Sequence, residues 1–269
     1  MSSVSDTGTD TYYRDHWLDV DPDRVEAYEE MFRWRPQMLP LLAPAGIEPG
    51  QVVLDYGAGP GMLSLELARL VGSEGHVHGV DINALFLERA AKHVADAGLA
   101  DRVSLHRMTG ERVPLDDASV DRVVCKNVLE YVPDPDATLR EFRRVLRPGG
   151  RVHVIDSDWG MLLVEPLGPE RLEQVMAAAR IAFRTPLIGR QLYGRLRASG
   201  FSDVTVQVLA GPDTEGRAAP VVLHMAQYAR DSGRLAEDVI EAFVADVRAA
   251  VEDGSYLLIL PQFLATGVA

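Results

Sequence analysis

The chain of 269 residues holds a single cysteine, Cys125, so an internal disulfide is excluded. That usage fits a reducing compartment, and a cytoplasmic location is the expectation. Cysteines and histidines nowhere cluster at metal-ligand spacing, so no metal is expected. No apolar run approaches the ~20 residues that span a bilayer, so no membrane partner is expected. Met1 to Asp10 is polar, lacks the basic-then-apolar pattern of a secretion signal, and is expected to be disordered. Positive charge is also short: 27 Lys and Arg face 40 Asp and Glu, for a net charge of −13. Such a chain repels phosphate-rich polymers at long range, so no nucleic-acid partner is expected. Its only basic runs, Arg140–Arg147 and Arg190–Arg197, read as solvated helix faces. Internal repeats and low-complexity segments are absent as well.

What is present is an ordinary globular composition, 47% apolar and 25% charged. The length suits one large domain, or one domain with an added subdomain. Residues 10 to 42 read as helical and aromatic-rich, with a helix start at Asp21-Pro22. Pro40, Pro44, Gly46, Pro49 and Gly50 punctuate a linker. Strand and helix then alternate. The predicted strands are Val52–Asp55, His76–Asp81, Val103–Arg107, Val120–Lys126 and Arg151–Asp156. The predicted helices are Met62–Val71, Ala84–Gly98 and Pro135–Leu146. This alternation calls for an α/β fold, a parallel sheet with helices on both faces and ligands at the strand C-ends. Further on, Pro169–Phe183 and Gln191–Ser199 read as helices and Phe201–Leu209 as a strand. Pro220–Ala229 and Leu235–Val251 read as a helical insert before a last apolar run, Tyr256–Thr266, broken at Pro261.

The most informative stretch is Val52-Val53-Leu54-Asp55-Tyr56-Gly57-Ala58-Gly59-Pro60-Gly61. A strand here feeds a glycine turn, and a helix offering unpaired N–H groups follows. A dinucleotide turn would place its third glycine at position 62, which is Met62. Asp81 ends the second strand about 20 residues past the turn, where a carboxylate can accept from vicinal ribose hydroxyls. Asp81 alone fits a dinucleotide or S-adenosylmethionine, and it also fits a helix N-cap.

The segment Val53 to Gly61 resembles motif I of the class I S-adenosylmethionine-dependent methyltransferases. His78-Gly79-Val80-Asp81-Ile82-Asn83 is similar to their second motif. Pro114 to Asp121 resembles the approach to their fourth strand, Val128 to Pro135 the segment after it, and Leu146-Arg147-Pro148-Gly149-Gly150 the turn before the fifth. The resemblance covers about residues 50–157. It is nearest the ubiquinone and menaquinone type, which acts mostly on small molecules.

The resemblance implies a Rossmann-like three-layer α/β sandwich. Its seven-stranded, mostly parallel sheet would have an antiparallel last strand beside the fifth. Residues 1–45 and an insert at about 212–254 would form a helical lid on a core of 46–269. S-adenosylmethionine would be the cofactor and S-adenosylhomocysteine the product. Gly57, Ala58 and Gly59 would approach the cofactor's methionine part. Asp55 would brace the turn and help receive its amino group, with the Lys126 backbone and Asn127 nearby. Asp81 would hold the ribose, and Ile82 would pack on the adenine. Many relatives carry an acid after the third strand, but this chain has Thr109, so Thr109, Gly110 and Glu111 are the adenine candidates. Asn127 is followed by Val128-Leu129 rather than by two prolines and an aromatic residue, which removes a reason to expect nucleobase or glutamine methylation.

The expected reaction is methyl transfer to O, N or C of a small, apolar metabolite, by a monomer or homodimer. A base is needed only where the acceptor must lose a tightly held proton. The candidates are His16, Tyr131 and Asp158, with Tyr12, Tyr13, Asp156 and His224 as further possibilities at the cleft. Asp158 reads equally as a turn cap. Arg33 beside Trp34 reads as a surface arginine or as a partner for the cofactor's carboxylate. The alternatives are a nicotinamide-dependent oxidoreductase and a non-catalytic S-adenosylmethionine-binding protein.

Overall fold

The computed structural model describes residues 10–269. The disorder expected of residues 1–9 lies outside the described residues. The chain opens with helices α1 (Tyr12–Leu18) and α2 (Pro22–Phe32). Residues 36–45, read above as a helix end and linker, form a 3-10 segment instead. Pro40 and Pro44 lack the N–H groups that a regular α-helix would use. Leu42 and Ala45 of this segment pack against Val53, Val124 and Ile155, so it belongs to a sheet face.

The alternating region follows as β1 (Val52–Tyr56), α3 (Met62–Val71), β2 (His76–Asp81), α4 (Ala84–Asp96), β3 (Val103–Arg107), β4 (Val120–Lys126), α5 (Pro135–Val145) and β5 (Leu146–Ser157). Helix α5 shows how local sequence sets an element. Asp134 caps it by accepting from the N–H groups of Asp136 (2.9 Å) and Ala137 (3.1 Å), and Pro135 occupies the first turn. Leu139, Phe142 and Val145 then share one buried face. Each such side chain contributes about 1.5–3 kcal/mol by leaving water.

The second half adds β6 (Leu163–Glu165), α6 (Pro169–Ala179), α7 (Ile188–Ala198), β7 (Ser202–Leu209), α8 (Ala219–Ser232), α9 (Glu237–Asp253), β8 (Leu257–Ile259) and β9 (Gln262–Val268). The main sheet has seven strands in the order β3-β2-β1-β4-β5-β9-β7. The strands from β1 to β5 pair in parallel, and β9 runs antiparallel to both β5 and β7. The last apolar run splits at Pro261. Its first part, β8, pairs with β6 in a separate two-stranded sheet, and only its second part joins the main sheet. Around β6 and β8, helices α6, α8 and α9 bury a core of their own that includes Val175, Tyr228, Ile240 and Phe243.

Strand order reverses between β1 and β4, where α/β sheets open a crevice at their C-terminal edge. Helices α1 and α2 lie beside that edge. The Asn83 side chain donates to the Trp17 carbonyl at 2.8 Å, and Phe86 of α4 packs with Val25 and Tyr28. No described helix is long and apolar enough to cross a membrane.

Candidate functional site

A cavity of about 480 Å³ occupies this crevice. That volume lies within the range of small-molecule sites. One side is strand ends and turns: Gly57 to Gly59 after β1, Asp81 and Ile82 after β2, Thr109 to Glu111 after β3, Lys126 and Asn127 after β4. The other side is apolar side chains, chiefly Trp17, Phe32, Trp34, Met38 and Tyr131.

The glycine turn is held by its neighbours. The N–H groups of Gly57 and Ala58 both donate to the Val80 carbonyl at 2.9 Å. A Cβ on Gly57, whose φ is +77°, would lie 2.3 Å from Val128 Cγ2. At Gly61, with φ +85°, it would lie 2.8 Å from Ala90 Cβ of α4. These two glycines therefore answer both a left-handed backbone and a close approach. The Asp81 carboxylate accepts from Gly59 N–H and Asn83 N–H, each at 2.8 Å. It thus ties the glycine turn to β2 while lining the cavity. The N-cap of α4 is Asn83, whose Oδ1 accepts from Phe86 N–H at 3.0 Å. Burial raises the Asp81 pKa, and the backbone donors oppose that shift.

Asp55 lies behind the wall and does not line the cavity. It accepts from Ser64 Oγ at 2.6 Å, which braces the first turn of α3. Burial pushes its carboxyl up to about 7. The bracing expected of it is present, with the carboxylate held behind the cavity wall. Asn127 takes a left-handed φ of +53°, and its N–H donates to the Ile155 carbonyl at 2.8 Å. Asparagine is among the few residues that adopt this conformation readily. Its Oδ1 is buried without a partner, as is Nε1 of Trp17 on the same cavity.

Of the three catalytic candidates, Tyr131 alone lines the cavity. Its ring stacks on Phe183 at 5.5 Å and meets Trp17 edge-on at 5.2 Å. Burial first, and then the Glu130 carboxyl, hold its phenol well above the ordinary tyrosine range. His16 sits one ring back. It stacks on Tyr12 at 4.9 Å and lies 6.0 Å from Tyr131, with Nε2 buried and unpartnered. Burial pushes its pKa down to about 4.

Asp158 must be corrected. It is fully buried away from the cavity and binds Arg190 Nη2 at 2.7 Å. It also accepts from Gly160 N–H at 3.1 Å, capping the turn at Trp159–Met161. Asp156 is structural too, accepting from Leu129 N–H and Ser157 N–H at 3.0 Å each. His224 Nε2 accepts from Arg24 Nη2 at 2.7 Å, and Tyr12 donates to Asp231, both away from the wall. Arg33 is a surface residue paired with Glu30, whereas Trp34 lines the cavity. Trp17, Phe32 and Met38 were not singled out in the sequence as cavity residues. Their signal in the sequence was the aromatic-rich helical stretch of residues 10–42, with Phe32 and Met38 among its apolar face.

A methyltransferase-domain family matches residues 47–196, more than half of the chain. The ubiquinone/menaquinone biosynthesis C-methyltransferase UbiE of Vibrio cholerae is 36% identical over 123 residues, 46% of this chain and 46% of that protein. The chain spans about half the length of the curated relatives it matches. Among solved structures, an S-adenosylmethionine-dependent methyltransferase from Aquifex aeolicus superposes with a TM-score of 0.53 and 22% identity. It covers 71% of this chain and 93% of the other. Phosphoethanolamine N-methyltransferase 2 of Haemonchus contortus, in complex with S-adenosylmethionine, gives 0.65 and 19%, covering 95% and 59%. At those identities the structures speak for the fold. The family match settles what Asp81 alone left open: the chain belongs to the class I S-adenosylmethionine-dependent methyltransferases.

Proposed function

We propose that the chain transfers the methyl group of S-adenosylmethionine to O, N or C of a small acceptor with an apolar body. The observation that carries this reading is the two-sided cavity: backbone turns and Asp81 on one wall, aromatic side chains on the other. The residues fit the cofactor. The orphaned Asn127 Oδ1 is an acceptor suited to an ammonium, and the orphaned Trp17 Nε1 is a donor suited to a carboxylate. Asp81 keeps lone pairs free for ribose hydroxyls after its two backbone bonds. Ile82 offers an apolar face to the adenine, and Thr109 to Glu111 offer its edge backbone groups.

When bound, S-adenosylmethionine supplies a methyl group already activated by its sulfonium. The protein's part is to position the acceptor and exclude water. Trp17, Phe32, Trp34 and Met38 form the dry wall that does so. The Tyr131 hydroxyl keeps its proton and shares it with the Glu130 carboxyl, so it does not act as a base. His16, with a buried and unpartnered Nε2 one ring behind the wall, is the remaining candidate to take an acceptor proton. To reach it, the acceptor must pass the Tyr131 ring.

The test is incubation of the full chain with methyl-labelled S-adenosylmethionine and a metabolite extract enriched in apolar phenols, quinols and amines. Label should enter a low-mass product, with stoichiometric release of S-adenosylhomocysteine. A folded sample that binds S-adenosylhomocysteine yet labels nothing would leave a binding protein rather than an enzyme.

A further inference from the structure

Helices α2 and α4 both reach the glycine turn. A Cβ at Gly61 would lie 2.8 Å from Ala90 Cβ of α4, and one at Gly59 would lie 3.8 Å from Phe32 of α2. The two helices pack together through Val25 and Tyr28 of α2 and Phe86 of α4. His93 of α4 stands at this junction. Its Nδ1 donates to the Pro60 carbonyl, inside the turn, at 2.9 Å. Its Nε2 faces Glu29 Oε1 of α2 at 3.8 Å. One imidazole thus touches the turn with one nitrogen and addresses the cavity-side helix with the other.

Glu29 is the unfinished part of this junction. Its Oε1 is buried and has no hydrogen-bond partner. Arg89 Nε and His93 Nε2 both lie 3.8 Å from it, beyond hydrogen-bond distance. A carboxylate oxygen buried without a partner is destabilising, and a shift of about 1 Å toward His93 satisfies it. Both neighbours of the ring are acceptors. The carbonyl takes the hydrogen on Nδ1 and the carboxylate takes one on Nε2, so the completed contact holds the doubly protonated ring. Arg89 and Asp96 of α4 are the charged groups that act on the pair, and Asp96 is itself bound by Lys92 at 2.7 Å. On α2 the next charges, Glu30 and Arg33, pair with each other. The turn from Gly57 to Gly61 carries no titratable side chain.

We propose that Glu29 and His93 couple the seating of α2 to the donor turn, with His93 a positioning residue that acts through the Pro60 carbonyl. This deepens the function proposed above and rests on the glycine turn gripping the methyl donor. The two walls of the large cavity are then linked: Pro60 belongs to the donor wall and Phe32 of α2 to the apolar wall. By reciprocity, a change that loosens α2 weakens the donor although it touches no donor atom.

The test is calorimetric titration of S-adenosylhomocysteine into the full chain at about pH 6 and about pH 8, either side of the ordinary imidazole range. At the lower pH, Glu29→Gln should weaken binding roughly threefold, and His93→Ala roughly tenfold. His93→Asn keeps a donor at the place of Nδ1 and loses the reach of Nε2. It should therefore recover to the smaller loss of Glu29→Gln. The E29Q/H93N double variant should lose no more than either single change, because both break one contact. At the higher pH the Glu29→Gln loss should shrink toward none. Arg89→Gln removes the other cation beside Glu29 without touching the turn, and should cost less than Glu29→Gln. The proposal is overturned if Glu29→Gln binds as tightly as the wild type at the lower pH, or loses equally at both. It is also overturned if the two single losses multiply, or if Arg89→Gln costs as much as Glu29→Gln. Urea unfolding of each variant runs alongside, and lost stability with unchanged affinity would leave a purely structural contact. Gly57→Ala separates the two readings. If it binds as the wild type does, the donor-turn reading falls; if it is weakened while Glu29→Gln is not, the coupling alone falls.

Discussion

The two walls of the large cavity are built by different means. The strand-edge wall consists of backbone: left-handed glycines, peptide N–H groups and one carboxylate that ties two turns together. The helical wall consists of side chains from α1, α2 and the 3-10 segment, packed as aromatic rings on rings. A backbone wall fixes the position of a constant ligand and leaves little room for substitution. A wall of side chains can be reshaped residue by residue for a particular acceptor. The division matches a reaction in which one partner is invariant and the other is not.

The largest expected effect falls on the backbone wall. Gly57→Ala places a Cβ 2.3 Å from Val128 Cγ2 at a φ of +77°. It should cost roughly 1–3 kcal/mol of stability and lower S-adenosylhomocysteine affinity roughly a hundredfold. Gly59→Ala, whose φ of +52° is left-handed too, is the control for the steric loss of stability. Its Cβ would meet only Phe32, at 3.8 Å, so the loss should be clearly smaller. Calorimetry and urea unfolding of both variants compare them directly, and equal losses would break the steric account.

Next comes Asp81→Ala, which removes a charge-assisted acceptor and should weaken S-adenosylhomocysteine by roughly 1.5–3 kcal/mol. Asp158→Ala should behave oppositely. It removes the partner of Arg190 and a turn cap, costing about 1–2 kcal/mol of stability, with ligand affinity unchanged. A drop in affinity for Asp158→Ala would restore that residue to the site.

Acidity should act on the two walls with opposite sign. Asp55, behind the strand edge, has its carboxyl raised from 3.8 to about 7. Between those values the native state keeps a proton that the unfolded state has lost, so its stabilising contribution falls as pH rises. His16, behind the helical wall, is lowered from 6.5 to about 4. Its contribution is complete above pH 6.5 and is lost as pH falls toward 4. In urea unfolding from pH 4 to 7, Asp55→Asn should therefore make stability rise more with pH than in the wild type. His16→Gln should make it rise less. Matching slopes for both variants would refute the contrast. The smallest effect is expected of Phe32→Leu, about 1 kcal/mol of ligand affinity from one lost aromatic contact on the cavity wall.

Legibility in the sequence followed the same division. Gly57, Gly61 and Asp81 stood out because a left-handed turn and a strand-end carboxylate restrict residue identity as well as polarity. The parallel strands were readable as short apolar runs between turns, and the antiparallel β9 beside β5 came from the family resemblance. Phe32 and Met38 stayed hidden because an apolar residue on a helix reads the same whether it faces a core or a cavity. Asp158 misled because a carboxylate just past a strand caps a turn as readily as it serves chemistry. Only the burial of its carboxylate, together with its pairing to Arg190, distinguishes the two. The run Tyr256–Thr266 concealed two strands in two sheets, since the switch depends on what each half pairs with.

The central claim is that the strand-edge wall grips the methyl donor. Calorimetric titration of the full chain with S-adenosylmethionine, S-adenosylhomocysteine and NAD tests it most directly. The account predicts one site for each sulfur ligand, weakened by Asp81→Ala and Gly57→Ala, and no heat from the dinucleotide. A folded chain that binds NAD, or binds neither sulfur ligand, would contradict it.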